Sequence, residues 1–172
     1  MSADEARRWL RYAREDLSAA EAMLEREDMF PRHVCWLAQQ AVEKAIKAAL
    51  IFAEIEFPYR HDLDLLRDLL PDGWRTKADH PDLAELTQWA VEARYPSDMP
   101  DIVESDAQNA VQQARGVWGS ICSDFPTETA FDGKIFGCKV KIGGYPSPAA
   151  VPFLSLGWTE IPFDFNFPGF LR

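Results

Sequence analysis

A chain of 172 residues with 47% apolar content has the length and hydrophobicity for one ordinary domain with its own core plus an appendage, and too few residues for two large domains. Its net charge of −10 disfavours sequence-independent binding to phosphate backbones and suits solubility and docking on a basic partner surface. Cys35, Cys122 and Cys138 lack C-x-x-C spacing and clustered histidines, and no apolar run is long enough to cross a membrane; this argues against a metal site, a cofactor or a membrane span and for a reducing cytoplasm.

Ser2 followed by Glu5 reads as an N-cap, after which Trp9, Leu10, Ala13, Leu17, Ala20 and Leu24 predict a long amphipathic helix to about Glu27. Trp9 is expected in the core or at a dimer interface. Pro31 is placed to open a second long helix, running to about Glu54, with Pro58 ending it. Within it Ala38, Ala41, Ala45, Ala48 and Ala49 allow close approach of other helices, and Val42, Ile46 and Leu50 form an apolar stripe. This is the expected central helix. Gln39, Gln40, Glu43, Lys44 and Lys47 fall on its other faces, where Glu43 and Lys47 read on periodicity alone as an i,i+4 pair on a solvated surface.

His61-Asp62 opens a short helix through Leu63, Leu66 and Leu70, with Asp62 favourable near its start. Trp74 to Pro81 reads as a loop, Leu83 to about Ala93 as a helix, and Arg94 to Pro100 as irregular between Pro96 and Pro100. A last helix is expected from about Glu104 to Cys122. From Phe125 onward glycines and prolines punctuate short aromatic runs, charges balance, and only residues 134–142 alternate as one strand or hairpin would. The reading is an all-α, antiparallel up-and-down bundle of about five helices over residues 1–124, followed by an irregular or short-β tail over 125–172. Trp36, Trp89 and Trp118 suggest more buried surface than one protomer needs, hence a homodimer.

The run Gln39-Gln40-Ala41-Val42-Glu43-Lys44-Ala45-Ile46-Lys47-Ala48, then His61-Asp62-Leu63, then Arg94-Tyr95-Pro96, resembles the HEPN domain family in three landmarks taken in order. The resemblance covers roughly residues 4 to 123 and points to the bacterial and archaeal type associated with minimal nucleotidyltransferases. It implies a small helical bundle that commonly dimerises, nucleotide or RNA chemistry, and often a minimal nucleotidyltransferase partner in a toxin-antitoxin-like system.

Many members of that family resemble metal-independent ribonucleases built on an Arg and a His four to six residues apart, with His as acid or base and Arg as phosphate clamp. Here Arg94 occupies the matching position, but Asp98, Met99, Pro100 and Asp101 follow it and none replaces histidine as a proton shuttle near neutral pH. Arg75 and His80 satisfy the spacing literally, in the expected loop. His61 stands at the mouth of a helix, open either to a functional role with Arg94 or to a structural hydrogen bond back to the central helix. The candidate catalytic pair is therefore His61 and Arg94. A small cationic pocket of Lys44, Lys47, Arg60 and Arg94, with Gln40 hydrogen-bonding a base and Tyr95 stacking on it, suits a nucleotide better than a long polymer. A nucleotide-binding regulatory module paired with a minimal nucleotidyltransferase is the first functional reading, and a ribonuclease toxin the second.

Overall fold

The computed structural model describes residues 3–93 and 101–125. Along them run six helices: α1 (Ala3–Leu24), α2 (Pro31–Phe52), α3 (Leu63–Asp68), α4 (Thr76–Asp79), α5 (Ala84–Gln88) and α6 (Glu104–Asp124). The all-α expectation holds, and no strand occurs among the described residues. The tail beyond Phe125, with its possible strand, lies outside them, as do Ser2 and residues 94–100.

α1 buries one stripe, Ala6, Leu10, Ala13, Leu17 and Ala20, at the three- and four-residue spacing that keeps side chains on one face. α2 is different in kind. From Ala38 to Ile51 all of its side chains are buried except Gln40 and Lys44, which are half-exposed. A helix buried around its circumference needs neighbours on every side. α1 and α6 pack along α2, and α3 and α5 cover it elsewhere, so the expected central helix is the hub of the bundle.

α1 and α2 are antiparallel, since Trp9 lies beside Lys47 and Asp16 beside Lys44. α6 runs in the same direction as α2. Phe125, just after α6, packs on Phe52 at the end of α2 with ring centroids 5.1 Å apart. Near the other end, burial and then the Asp106 charge push the thiol of Cys35 up to about 12. The short helices α3, α4 and α5 make the return pass between these two parallel elements.

Two segments differ from the sequence reading. Thr76–Asp79 forms a single helical turn where a loop is expected, because Asp124 accepts hydrogen bonds from the Thr76 amide and hydroxyl and so fixes it to α6. The helix expected from Leu83 to Ala93 stops at Gln88 and continues as turns, with Ala90 and Val91 amides bonding carbonyls three residues back. Trp89 and Trp118 are buried within one protomer, so those two do not call for a partner surface. Among the described residues no helix is long and apolar enough to cross a membrane.

The end of α2 is closed by a backbone motif that sequence periodicity does not report. The Ile55 amide donates to the Leu50 carbonyl and the Glu54 amide to the Ile51 carbonyl, the paired bonds of a Schellman cap, which leaves Glu54 left-handed at φ 57°. Glutamate in that region carries a steric cost that glycine lacks. Glu54→Gly is expected to stabilise the fold by about 1 kcal/mol. Urea unfolding should show a higher midpoint at unchanged slope, and a lower midpoint would contradict this account of the cap.

Candidate functional site

The polar residues of α2 are not on a solvated face. Glu43 is 5% and Lys47 6% exposed, and Gln39 is fully buried. They lie in a seam that α1 and the segment after α2 cover. Taking a carboxylate out of water is costly unless donors replace the water. Gln39 Nε2 donates to Glu43 Oε2 at 2.8 Å, Lys47 Nζ to Oε1 at 2.7 Å, and His61 Nδ1 lies 2.9 Å from Oε2 and 3.1 Å from Oε1. Burial pushes the Glu43 carboxyl up, but the bonds from Lys47, His61 and Gln39 outweigh it, and the group is held below the ordinary glutamate range.

The seam continues along α2 as a chain of hydrogen bonds. Gln40 Nε2 donates to Gln39 Oε1 at 2.7 Å, Lys44 Nζ to Gln40 Oε1 at 3.4 Å, and Lys44 pairs with Asp16 of α1. Lys47 also sits between two aromatic faces, 6.0 Å from the ring centre of Trp9 and 5.7 Å from that of Phe57, so its charge is met by a carboxylate and by π density together. Trp9, half-buried against the core, thus covers a buried ion pair as well as apolar surface.

His61 is the point where this seam reaches water. Its side chain is 53% exposed while its partner carboxylate is not. Facing a carboxylate, Nδ1 carries the hydrogen and donates, which leaves Nε2 as an acceptor with no partner among the described residues. The segment around it is fixed: Asp62 caps α3 by accepting from the Leu65 amide, and the Leu63 amide donates to Thr87 Oγ1 at 3.1 Å. The hydrogen bond from His61 to the neighbouring helix is therefore present, and it orients the ring.

Arg60 is exposed and makes no ion pair among the described residues, and Tyr59 before it is 100% exposed. The sequence reading passes over Tyr59, because nothing in its spacing distinguishes a bare aromatic from one that packs. Arg94 and Tyr95 lie outside the described residues, so their relation to His61 is left to the proposal below. The literal match Arg75–His80 serves the fold: Arg75 Nε is 3.6 Å from Asp124, and His80 Nε2 donates to Ser120 Oγ at 3.2 Å while Ser120 donates to Asp79. The His80 ring lies so close over α6 that a Cβ at Gly116 would come within 2.7 Å of it. Those contacts hold α4 to α6.

The HEPN domain family model matches residues 6–124. That span is more than half of the chain and takes in all six helices but the first turn of α1. The chain belongs to the HEPN family. No curated protein and no solved structure matches it. Its class is thereby a nucleotide-binding or ribonuclease-type helical module, and the Glu43, Lys47 and His61 cluster is the chemically equipped part of this HEPN domain that the described residues present.

Removing one member of a buried ion pair leaves the other uncompensated, so Lys47→Ala is expected to cost about 3–5 kcal/mol by urea unfolding. A cost below about 1 kcal/mol, typical of an exposed pair, would contradict the burial of the seam. The pH dependence carries a definite sign. Because the folded-state value of Glu43 is depressed, its contribution is complete above the unfolded glutamate value of about 4.3 and is lost as pH falls through the lower folded value. The stability difference between wild type and Glu43→Gln should shrink on acidification through that window. A difference independent of pH would contradict it.

Proposed function

We propose that this HEPN domain is a nucleotide-binding regulatory module whose ligand phosphate is received by Arg60, while the bare Nε2 of His61 accepts a hydrogen bond from a ligand hydroxyl. The observation that supports the reading is the division of labour around Glu43. One buried carboxylate fixes the imidazole and neutralises Lys47, leaving a single oriented ring nitrogen and a free guanidinium at the surface of a strongly acidic chain. Such a site offers a few directed contacts to one nucleotide, a donor fork for its phosphate and an acceptor for a hydroxyl, and little general attraction for a long polyanion.

Gln40 and Lys44 are engaged with Gln39 and Asp16, and would meet a ligand only by exchanging those bonds. Lys47 acts in this reading through Glu43. Arg94 and Tyr95 complete the site as clamp and stacking platform, a placement drawn from the family landmarks. The net charge of −10 suits docking on a basic partner, and the reading includes a homodimer that pairs with a minimal nucleotidyltransferase in the cytoplasm, in a toxin-antitoxin-like system.

A second reading is favoured by the same hydrogen bond. A carboxylate that holds Nδ1–H of an exposed histidine leaves Nε2 placed to take a proton from a ribose hydroxyl, the arrangement a metal-independent ribonuclease needs. In that case Arg94 stabilises the charge that develops on the phosphate.

A thermal-shift screen against nucleotides tests the first reading, since a ligand at a hundred times its dissociation constant adds about 2.7 kcal/mol. His61→Ala and Arg60→Ala are each expected to weaken the responding nucleotide by about 1–3 kcal/mol without unfolding the protein. Metal-free RNA cleavage that disappears in His61→Ala would favour the second reading. Unchanged nucleotide binding in both variants, with no cleavage by wild type, would remove His61 from function.

A further inference from the structure

The two parallel helices α2 and α6 begin on residues that a helix start does not favour. The N-cap of α2 is Phe30 and that of α6 is Val103, both with extended backbone, where a serine, threonine or aspartate would accept a bond from a free amide of the first turn. At α2 no side chain makes that bond. At α6 Asp106 accepts from the Val103 amide at 2.9 Å, but valine has no oxygen to return the bond, so only half of a capping box forms. Neither residue is there for the core, since Phe30 is 63% and Val103 52% exposed.

The two starts lie side by side. α2 and α6 pack along each other in the same direction, and the Asp106 charge reaches Cys35, each about one turn into its helix. The end of the return pass joins them: Arg32 Nη1 donates to the Ala93 carbonyl at 3.3 Å, and two residues before Ala93 the side chain of Val91 is 57% exposed. Three of the five large apolar or aromatic side chains that are exposed among the described residues therefore collect at this end of the bundle. Such a collection, at positions where local preference asks for polar residues, marks a surface that another molecule covers.

The charges around it have mostly one sign. Glu25, Glu27, Glu92 and Asp101 form no ion pair among the described residues. Arg26 is paired with Asp28 and Arg32 is turned to the Ala93 carbonyl, so this end is acidic on balance. From this arrangement we infer that the end of the bundle around Phe30, Val91 and Val103 is a docking surface for a basic amphipathic segment of a partner protein, its apolar side chains on these three residues and its lysines or arginines over the surrounding carboxylates. A second copy of this chain would instead set the same carboxylates against each other. The inference gives a place and a chemistry to the basic partner of the functional reading and shares only that partner with it; a nucleotide at His61 is not required.

The test is a titration of the full chain with a synthetic leucine-lysine peptide that forms a helix with its leucines on one face, followed by amide NMR, beside a scrambled peptide and one with glutamate in place of lysine. Saturable shifts around Phe30, Val91 and Val103 are expected with the leucine-lysine peptide alone, and salt should weaken them. Phe30→Ser and Val103→Ser should each weaken this binding at least about fivefold, the lower bound for a residue that matters at an interface. The same two variants should raise the urea midpoint of the free protein, because serine caps a helix that phenylalanine or valine leaves open. His61→Ala should leave the peptide affinity unchanged, and peptide binding without any nucleotide binding would remove the nucleotide reading alone. Absence of saturable binding, shifts centred on another face, or an equal response to the scrambled peptide would overturn the docking surface. A lower urea midpoint in the serine variants would do so as well, by showing that Phe30 and Val103 serve the fold. So would a concentration-dependent oligomer of the wild type that those variants disperse, since a second copy would then cover this end.

Discussion

A carboxylate enclosed between helices stays charged only if donors reach it from several directions, and Glu43 is met by Gln39, Lys47 and His61 at once. Each donor comes with a structural condition. Gln39 and Lys47 are one turn before and after it on the same helix, so α2 must be regular throughout this stretch. Trp9 must lie over Lys47, which fixes the stagger of α1 against α2. The chain after α2 must turn back tightly enough for His61 to meet a residue eighteen positions earlier. The Schellman cap at Ile55 and the Asp62 cap of α3 are the two devices that make that turn.

Because α2 is covered on nearly all sides, the seam is part of the core and not an addition to its surface. Burial strengthens each electrostatic contact within it and excludes competing water. His61 is then a surface group whose orientation is set from inside. Loosening α1 against α2 would be felt at the imidazole through Lys47 and Glu43. The short helices are held differently: Arg67, buried and paired with Asp64 and Asp68, donates to the His80 carbonyl at 3.0 Å and ties α3 to the turn after α4. That network holds short helices that have too few residues to be stable alone.

The long helices were legible because their periodicity is strong and their ends are marked: Pro31 opens α2, and Pro58 prevents its continuation. The alanine spacing of α2 correctly gave it the central place. What periodicity could not give was the side on which its polar residues fall. Glu43 and Lys47 have the spacing of a solvated pair, and the cover that buries them comes from Trp9 and Phe57, which lie 38 residues before and 10 after Lys47. The pairing of Lys44 with Asp16 is equally non-local. The landmark run Gln39–Ala48 carried that information indirectly, since a family pattern records a packing requirement that a single helix does not display. Arg75–His80 shows the converse, a spacing that matches a catalytic pattern while both side chains serve the attachment of α4 to α6. The direction of α6, parallel to α2, depends on counting α3, α4 and α5 together as one return pass, which their individual patterns do not announce.

The central claim is that a charged, buried Glu43 dictates how His61 presents its ring. Nitrogen NMR of the imidazole, recorded in mildly alkaline buffer on wild type and on Glu43→Gln, reads it directly. The account predicts that neutral His61 in the wild type carries its hydrogen on Nδ1, with Nε2 bare, and that this preference is lost in Glu43→Gln. A wild-type ring protonated on Nε2, or a tautomer indifferent to the substitution, would contradict it.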